Sequence, residues 1–206
     1  YMRGMQSEGV MACAKHFPGH GDTDVDSHED LPVINHTREY IDSVDLYPFR
    51  KMFDAGVGSV MIAHLQINAL DNTPHQPSSL SEPIVTQLLR KKMGYKGLII
   101  TDGIDMKGVT KYYKDGNAEL QALRAGNDLI ILPPDVEKSI SLICSEAKTD
   151  TALMHRIDEH CRRILKAKYN CGLNKLDVSK LELPNEEDWN RCDSLAFQVA
   201  LRVVTL

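Results

Sequence analysis

The sequence predicts an α/β fold of parallel strands joined by crossover helices. Four short apolar runs recur along the chain, a polar loop follows each run, and amphipathic helical segments separate them at intervals of roughly 30 to 45 residues. Such a series closes into a barrel or lies flat as a doubly wound sheet, and periodicity alone does not choose between the two. Composition fits a packed domain: 206 residues, 42% hydrophobic and 26% charged. A formal charge of -5 supplies no cationic footprint, so nucleic acid is excluded as a partner class. No apolar run approaches the length of a membrane span. Cys13, Cys144, Cys161, Cys171 and Cys192 are scattered and odd in number, and read as buried or free thiols.

The first strand is expected over Val10 to His16, the second over Gly58 to Ala63, the third over Gly97 to Asp102 and the fourth over Asp128 to Leu132. Between the first two, Arg38 to Ala55 reads as a helix with Thr37 as N-cap. Ile41, Val44, Leu46, Phe49, Met52 and Phe53 form its stripe, and Gly56 stops it. Ser81 caps the next helix, which runs to Met93 with Pro83 in its first turn and Gly94 as its stop. Val136 to Lys148 and Asp150 to Tyr169 come next as helices, the second ending at Gly172. Residues 173–184 read as a polar linker. Beyond it, Glu186 to Ala200 looks helical, and Leu201 to Leu206 looks like the start of a strand.

Polar residues crowd at the C-terminal ends of the strands: Lys15 and His16 on the first, His64 on the second, Asp102 on the third. In a barrel that is the active face. The loop after the first strand, Lys15 to His28, is the most densely ionisable part of the chain, and three readings compete for it. His16, His20 and His28 with nearby Asp residues could hold a metal, although no spacing fixes a geometry. A solvated polar turn is the plainest reading. The third is acid/base chemistry by a histidine beside a carboxylate, for which Asp26-Ser27-His28 supplies both groups; imidazole titrates near neutral pH.

A carboxylate directly after the apolar run Leu98-Ile99-Ile100 is costly unless it reaches an open mouth, which favours function over capping for Asp102. Asp105 reads as a cap for the following turn, and Met106 as packing beneath the site. His64 either faces substrate or is a satisfied structural histidine. Lys15 and His16 are adjacent on a strand and point opposite ways, so at most one enters the mouth unless the strand bulges.

Lys15-His16-Phe17-Pro18-Gly19-His20-Gly21-Asp22-Thr23 followed by Asp26-Ser27-His28 closely resembles the signature of glycoside hydrolase family 3 β-N-acetylglucosaminidases. Thr101-Asp102 with Met106-Lys107-Gly108 is similar to that family's nucleophile segment. Arg124-Ala125-Gly126-Asn127-Asp128, Arg156-Ile157 and Arg162-Arg163-Ile164-Leu165 resemble its last strand and closing helix. The resemblance implies a TIM (β/α)8 barrel of which residues 1–172 are the last four β/α units, with 173–184 a linker and 185–206 the start of a second α/β domain. It also implies that the barrel's first half lies outside the chain, so that the chain alone is expected to associate or to be inactive.

By the same resemblance Asp102 is the nucleophile, His28 the general acid/base and Asp26 its partner, while Lys15, His16 and His64 contact the sugar. No metal or cofactor is implied. The expected substrate is an N-acetylglucosamine-containing oligosaccharide or muropeptide. A phosphorylase of the same family is the alternative, since a histidine does not repel incoming phosphate as a carboxylate does. A non-catalytic sugar-binding fragment is a further alternative.

Overall fold

The computed structural model describes residues 1–21, 23 and 30–203. The chain divides into two compact units, Tyr1–Leu173 and Asn174–Leu206. The first opens with helix α1 (Met2–Ser7) and is built on four parallel strands: β1 (Cys13–Phe17), β3 (Ser59–Ile62), β5 (Leu98–Gly103) and β6 (Leu129–Ile131). They lie side by side in that order, pairing Ala14 with Val60, Val60 with Ile99 and Ile100 with Leu129. Each connection is a helical crossover, as parallel pairing requires. The expected strands are all present, displaced by one to three residues at their ends.

Alternation sorts the strand residues. Ala14, Val60, Ile62 and Ile99 point into a core shared with Leu46, Phe49, Ile84, Val85, Leu88 and Leu89 from the helices. Met61, Ile100 and Asp102 point to the opposite face and are half-buried. Burying each core aliphatic contributes about 1.5–3 kcal/mol, so this one cluster fixes the sheet to its helices.

After β1 the chain returns as β2 (Val33–Ile34), which pairs in parallel with β4 (Gln66–Ile67) just beyond β3. These two-residue strands are too short to leave a sequence signal. The helix announced by Thr37 is present: its hydroxyl accepts from the Tyr40 amide, and Gly56 ends it at φ +82°. It runs as α2 (Arg38–Tyr40), a π-helical turn (Ile41–Asp45) and α3 (Leu46–Asp54). The π turn shifts the phase, which buries Ile41, Leu46 and Phe49 but leaves Val44 exposed, contrary to the expected stripe. The helix after Ser81 is π-helical over Pro83–Lys92, and Gly94 lies just past it at φ +68°.

Beyond β5 come the short α4 (Lys107–Thr110) and α5 (Asn117–Ala125), then after β6 α6 (Val136–Ala147) and α7 (Thr151–Asn170). Asp135 and Asp150 cap the last two, accepting from the Lys138 and Leu153 amides. Asp105 does not act as the expected cap. The turn is closed by the Met106 amide donating to the Gly103 carbonyl, with Met106 at the cap position of α4 and the Asp105 carboxylate folded back towards Gly103.

The floor of the sheet is tied by Asp128, whose side chain is fully buried. It accepts from Arg90 Nη2 at 2.8 Å, Arg163 Nε at 2.6 Å, the Ile99 amide at 2.9 Å and His160 Nδ1 at 2.7 Å. Burial alone would raise the carboxyl's pKa. The bonds from His160, Ile99 and Arg163 and the charge of Arg90 outweigh it and hold the group below its ordinary value.

The second unit contains α8 (Glu186–Val203). Asn185 and Asp188 exchange amide-to-side-chain bonds at its start, and neither Gly nor Pro interrupts the helix. The strand expected from Leu201 is therefore helix through Val203.

Candidate active site

Two of the four main strands are irregular at one level. Ala14 pairs with Val60 and Phe17 with Ile62, so Lys15 and His16 together oppose Met61. On the other side Ile100 pairs with Leu129 and Gly103 with Ile131, so Thr101 and Asp102 together oppose Ile130. A strand with one extra residue bends and re-aims its side chains. That resolves the difficulty posed by simple alternation: His16 turns inward and its Nε2 stands 3.5 Å from Asp102 Oδ2. The Lys15–His16 and Phe17–Pro18 peptide bonds are cis.

Asp102 is half-buried at the tip of β5. Its Oδ1 accepts from the Gly103 amide at 2.9 Å, leaving Oδ2 turned towards His16. The gap that the bulge opens in the backbone ladder is filled by Thr101, whose hydroxyl accepts from the Ile131 amide at 3.1 Å. The strand tip is thus held on both sides of the carboxylate.

The structure sets His64 beneath the mouth instead of in it. The ring is fully buried; Nε2 donates to the Gly103 carbonyl at 2.9 Å, and Nδ1 accepts from the Ser79 hydroxyl at 2.7 Å. Burial pushes its pKa down, more than the Asp102 charge and the Gly103 carbonyl pull it up, which keeps the ring neutral. With both nitrogens engaged, His64 has none to offer a substrate. Its work is on the peptide that follows Asp102. Asn127 extends the chain of bonds, its buried amide donating to the Ser79 carbonyl at 2.7 Å.

Beside His16 lies a cleft of about 540 Å³, walled by Lys15, His16, Gly19, His20, Asp45 and Phe49 among others. The His16 and His20 rings meet edge to face with centroids 5.8 Å apart, and Thr23 Oγ1 lies 3.3 Å from His20 Nδ1. Lys15 is exposed on the cleft wall. Among the described residues no group of three or more His, Cys, Asp or Glu is arranged to hold a metal. Asp26 and His28 lie outside the described residues.

Further on, Asp30 accepts from Lys111 Nζ at 2.7 Å and from the Tyr112 hydroxyl at 3.4 Å, and Tyr112 stacks on His75 with centroids 4.3 Å apart. Segments that follow three different strands are joined there. Ser79 and Asp30 left no mark in the sequence, because a lone hydroxyl or carboxylate in a connecting segment shows no periodicity.

A family model described as the glycosyl hydrolase family 3 N-terminal domain matches residues 1–167. Among curated proteins, beta-hexosaminidase A of Pseudoalteromonas piscicida is 39% identical over 142 residues, covering 64% of this chain and 24% of that protein. A beta-hexosaminidase of Chromobacterium violaceum is 35% identical over 148 residues, covering 70% and 40%. Among solved structures, a glycoside hydrolase family 3 beta-N-acetylglucosaminidase from a Paenibacillus species superposes with a TM-score of 0.81 at 34% identity, over 91% of this chain and 37% of that one. The chain thus spans between a quarter and two-fifths of the length of these relatives.

Proposed function

This chain belongs to glycosyl hydrolase family 3, and from that membership we propose that it carries the catalytic residues of a retaining enzyme that removes terminal β-linked N-acetylglucosamine. The observation that carries the reading is the Asp102 carboxylate, at the tip of β5 with one oxygen bound to its own strand and the other turned towards His16. A nucleophile needs such fixation, because the attack geometry is set before the substrate arrives.

In this reading Asp102 attacks the anomeric carbon and forms a glycosyl-enzyme, and the aglycone oxygen leaves with a proton from His28. His28, then neutral, takes a proton from the water that releases the sugar. Asp26 orients the histidine. His16 and Lys15 bind sugar hydroxyls from the cleft, and His16 also steadies Asp102. The substrate class is an N-acetylglucosamine-containing oligosaccharide or muropeptide, and residues 1–172 contribute four β/α units to a (β/α)8 barrel.

The test is release of p-nitrophenol from its β-N-acetylglucosaminide by the intact protein, with and without phosphate. Turnover in water, accompanied by free N-acetylglucosamine with retained anomeric configuration, supports the hydrolase. Sugar phosphate formed only when phosphate is present transfers the assignment to a phosphorylase. No turnover under either condition overturns both.

A further inference from the structure

The loop after β1 and the segment after β5 meet at Asp30. Its Oδ2 accepts from Lys111 Nζ at 2.7 Å, while its Oδ1 accepts from the Leu31 amide at 2.9 Å and from the Tyr112 hydroxyl at 3.4 Å. Lys111 Nζ also stands 5.5 Å from the centre of the Tyr112 ring, and that ring stacks on His75 with 11° between the planes. Each partner is held on its own side. Leu31 is buried and leads into β2, which pairs with β4. The Tyr112 amide donates to the carbonyl of Val109, a buried residue of α4. His75 takes φ +57°, a conformation that few residues other than glycine adopt, and its amide donates to Gln66 Oε1 at 2.9 Å.

The side chains of Asp30 and Lys111 are 42% and 54% exposed, and ion pairs so placed add little to folding stability. The pair is nonetheless permanent. The Lys111 hydrogen bond, followed by the Leu31 amide, holds Asp30 below the ordinary carboxylate range, and Asp30 in turn raises Lys111, so both stay charged around neutral pH. What this latch fixes is position. Lys111 and Tyr112 lie on the segment that descends from β5, whose tip carries Asp102, and Asp30 lies at the far end of the ionisable loop that starts at His16. Two residues span at most about 7 Å, so fixing Asp30 limits the reach of His28, two positions before it in the chain.

We propose, on the role given to His28 above, that Lys111 and Tyr112 are positioning residues, pinning Asp30 and so setting the acid/base within reach of a sugar bound at Asp102. Such a role has a signature of its own. A sugar aglycone leaves only with a proton, whereas a dinitrophenolate leaves without one. A displaced acid/base therefore costs rate on the poor leaving group alone. A general loosening of the fold, or of Asp102, lowers the rate on both.

The test compares kcat/KM of the intact protein on N,N′-diacetylchitobiose and on dinitrophenyl β-N-acetylglucosaminide. Lys111→Met and Asp30→Asn are expected to lose at least about tenfold more on the disaccharide than on the dinitrophenyl glycoside. Lys111→Arg, which keeps the charge, shows a smaller gap, and His28→Ala shows the largest. Lys111 is exposed, so Lys111→Met is expected to melt close to the unmodified protein, which keeps the kinetic comparison free of unfolding. Equal losses on the two substrates in Lys111→Met, or no loss on either, overturn the latch while the gap in His28→Ala leaves the acid/base assignment standing. No gap in His28→Ala overturns that assignment and the latch with it.

Discussion

His16 Nε2 stands 3.5 Å from Asp102 Oδ2, although the two residues lie on strands separated by β3. Both strands carry an extra residue at this level, and the paired bulges bring the two side chains to one mouth. Asp102→Asn keeps the shape and removes the nucleophile. It is expected to lower kcat by roughly 10³-fold or more, on the scale seen when a nucleophile is deleted, with little change in melting temperature. Steady-state kinetics on the p-nitrophenyl substrate, beside a thermal melt, checks both halves. Full activity in the variant removes Asp102 from the mechanism.

The Ser79–His64–Gly103 chain of bonds predicts a different signature. Ser79→Ala deprives buried His64 Nδ1 of its donor at a cost of about 1–3 kcal/mol, and it loosens the peptide that follows Asp102. The effect should fall on kcat more than on KM, since neither residue reaches the mouth. The pH dependence has a definite sign. His64 titrates lower in the folded chain than its unfolded value near 6.5, so its contribution is complete above that value and declines as pH falls below it. Melting temperatures between pH 5 and 8, compared with those of His64→Gln, measure that slope; parallel curves for the two proteins count against the assignment.

How far the sequence foretold this arrangement differs by feature. The strands were legible because each is a short apolar run followed by polar loop material, and the helix starts because Thr37 and Ser81 announce them. Asp102 was legible as a carboxylate where burial makes one expensive. The bulges were not, since a period of two carries no sign of an inserted residue, and so the approach of His16 to Asp102 could only be admitted as an exception. The fate of His64 turned on Ser79, 15 residues away and in a separate turn. The stretch from Leu201 to Leu206 reads as the start of a strand, yet as far as Val203 it continues a helix already nucleated at Asn185. Local propensity lost there to cooperativity.

Asp128 gives a prediction about stability alone. Its carboxylate ties β6, the Arg90 side chain and α7 together, and Asp128→Asn leaves Arg90 without its counter-charge and Arg163 with only Glu159, 3.7 Å away. Breaking a buried pair of this kind costs about 3–5 kcal/mol. Because the folded pKa lies below the unfolded value of about 3.9, the contribution is fully present above that pH and is lost as pH falls through the lower, folded value. Urea denaturation at pH 7 and again at pH 3 should show the gap between the two proteins narrowing in acid. A constant gap indicates that packing, not charge, sets the difference.

Gly19 and Gly21 flank His20 in the loop that forms the cleft, and they should respond differently to the same substitution. Gly19 has φ +145°, and a Cβ there would lie 2.8 Å from the Asp45 side chain. Asp45 is itself held by His36, with Nδ1 3.4 Å from Oδ2, and it packs where the π turn meets α3, so it has little room to retreat. Gly19→Ala therefore has to move the loop. Strain of this kind costs about 1–3 kcal/mol, and the displacement carries His16 and His20 with it, so KM should rise and kcat/KM should fall at least about tenfold. Among the described residues nothing lies within 4 Å of where a Cβ on Gly21 would sit, and φ there is not positive. Gly21→Ala should leave both stability and kinetics close to those of the unmodified protein. Equal effects from the two substitutions would mean that the loop yields as a whole, and that contact with Asp45 does not set the shape of the cleft.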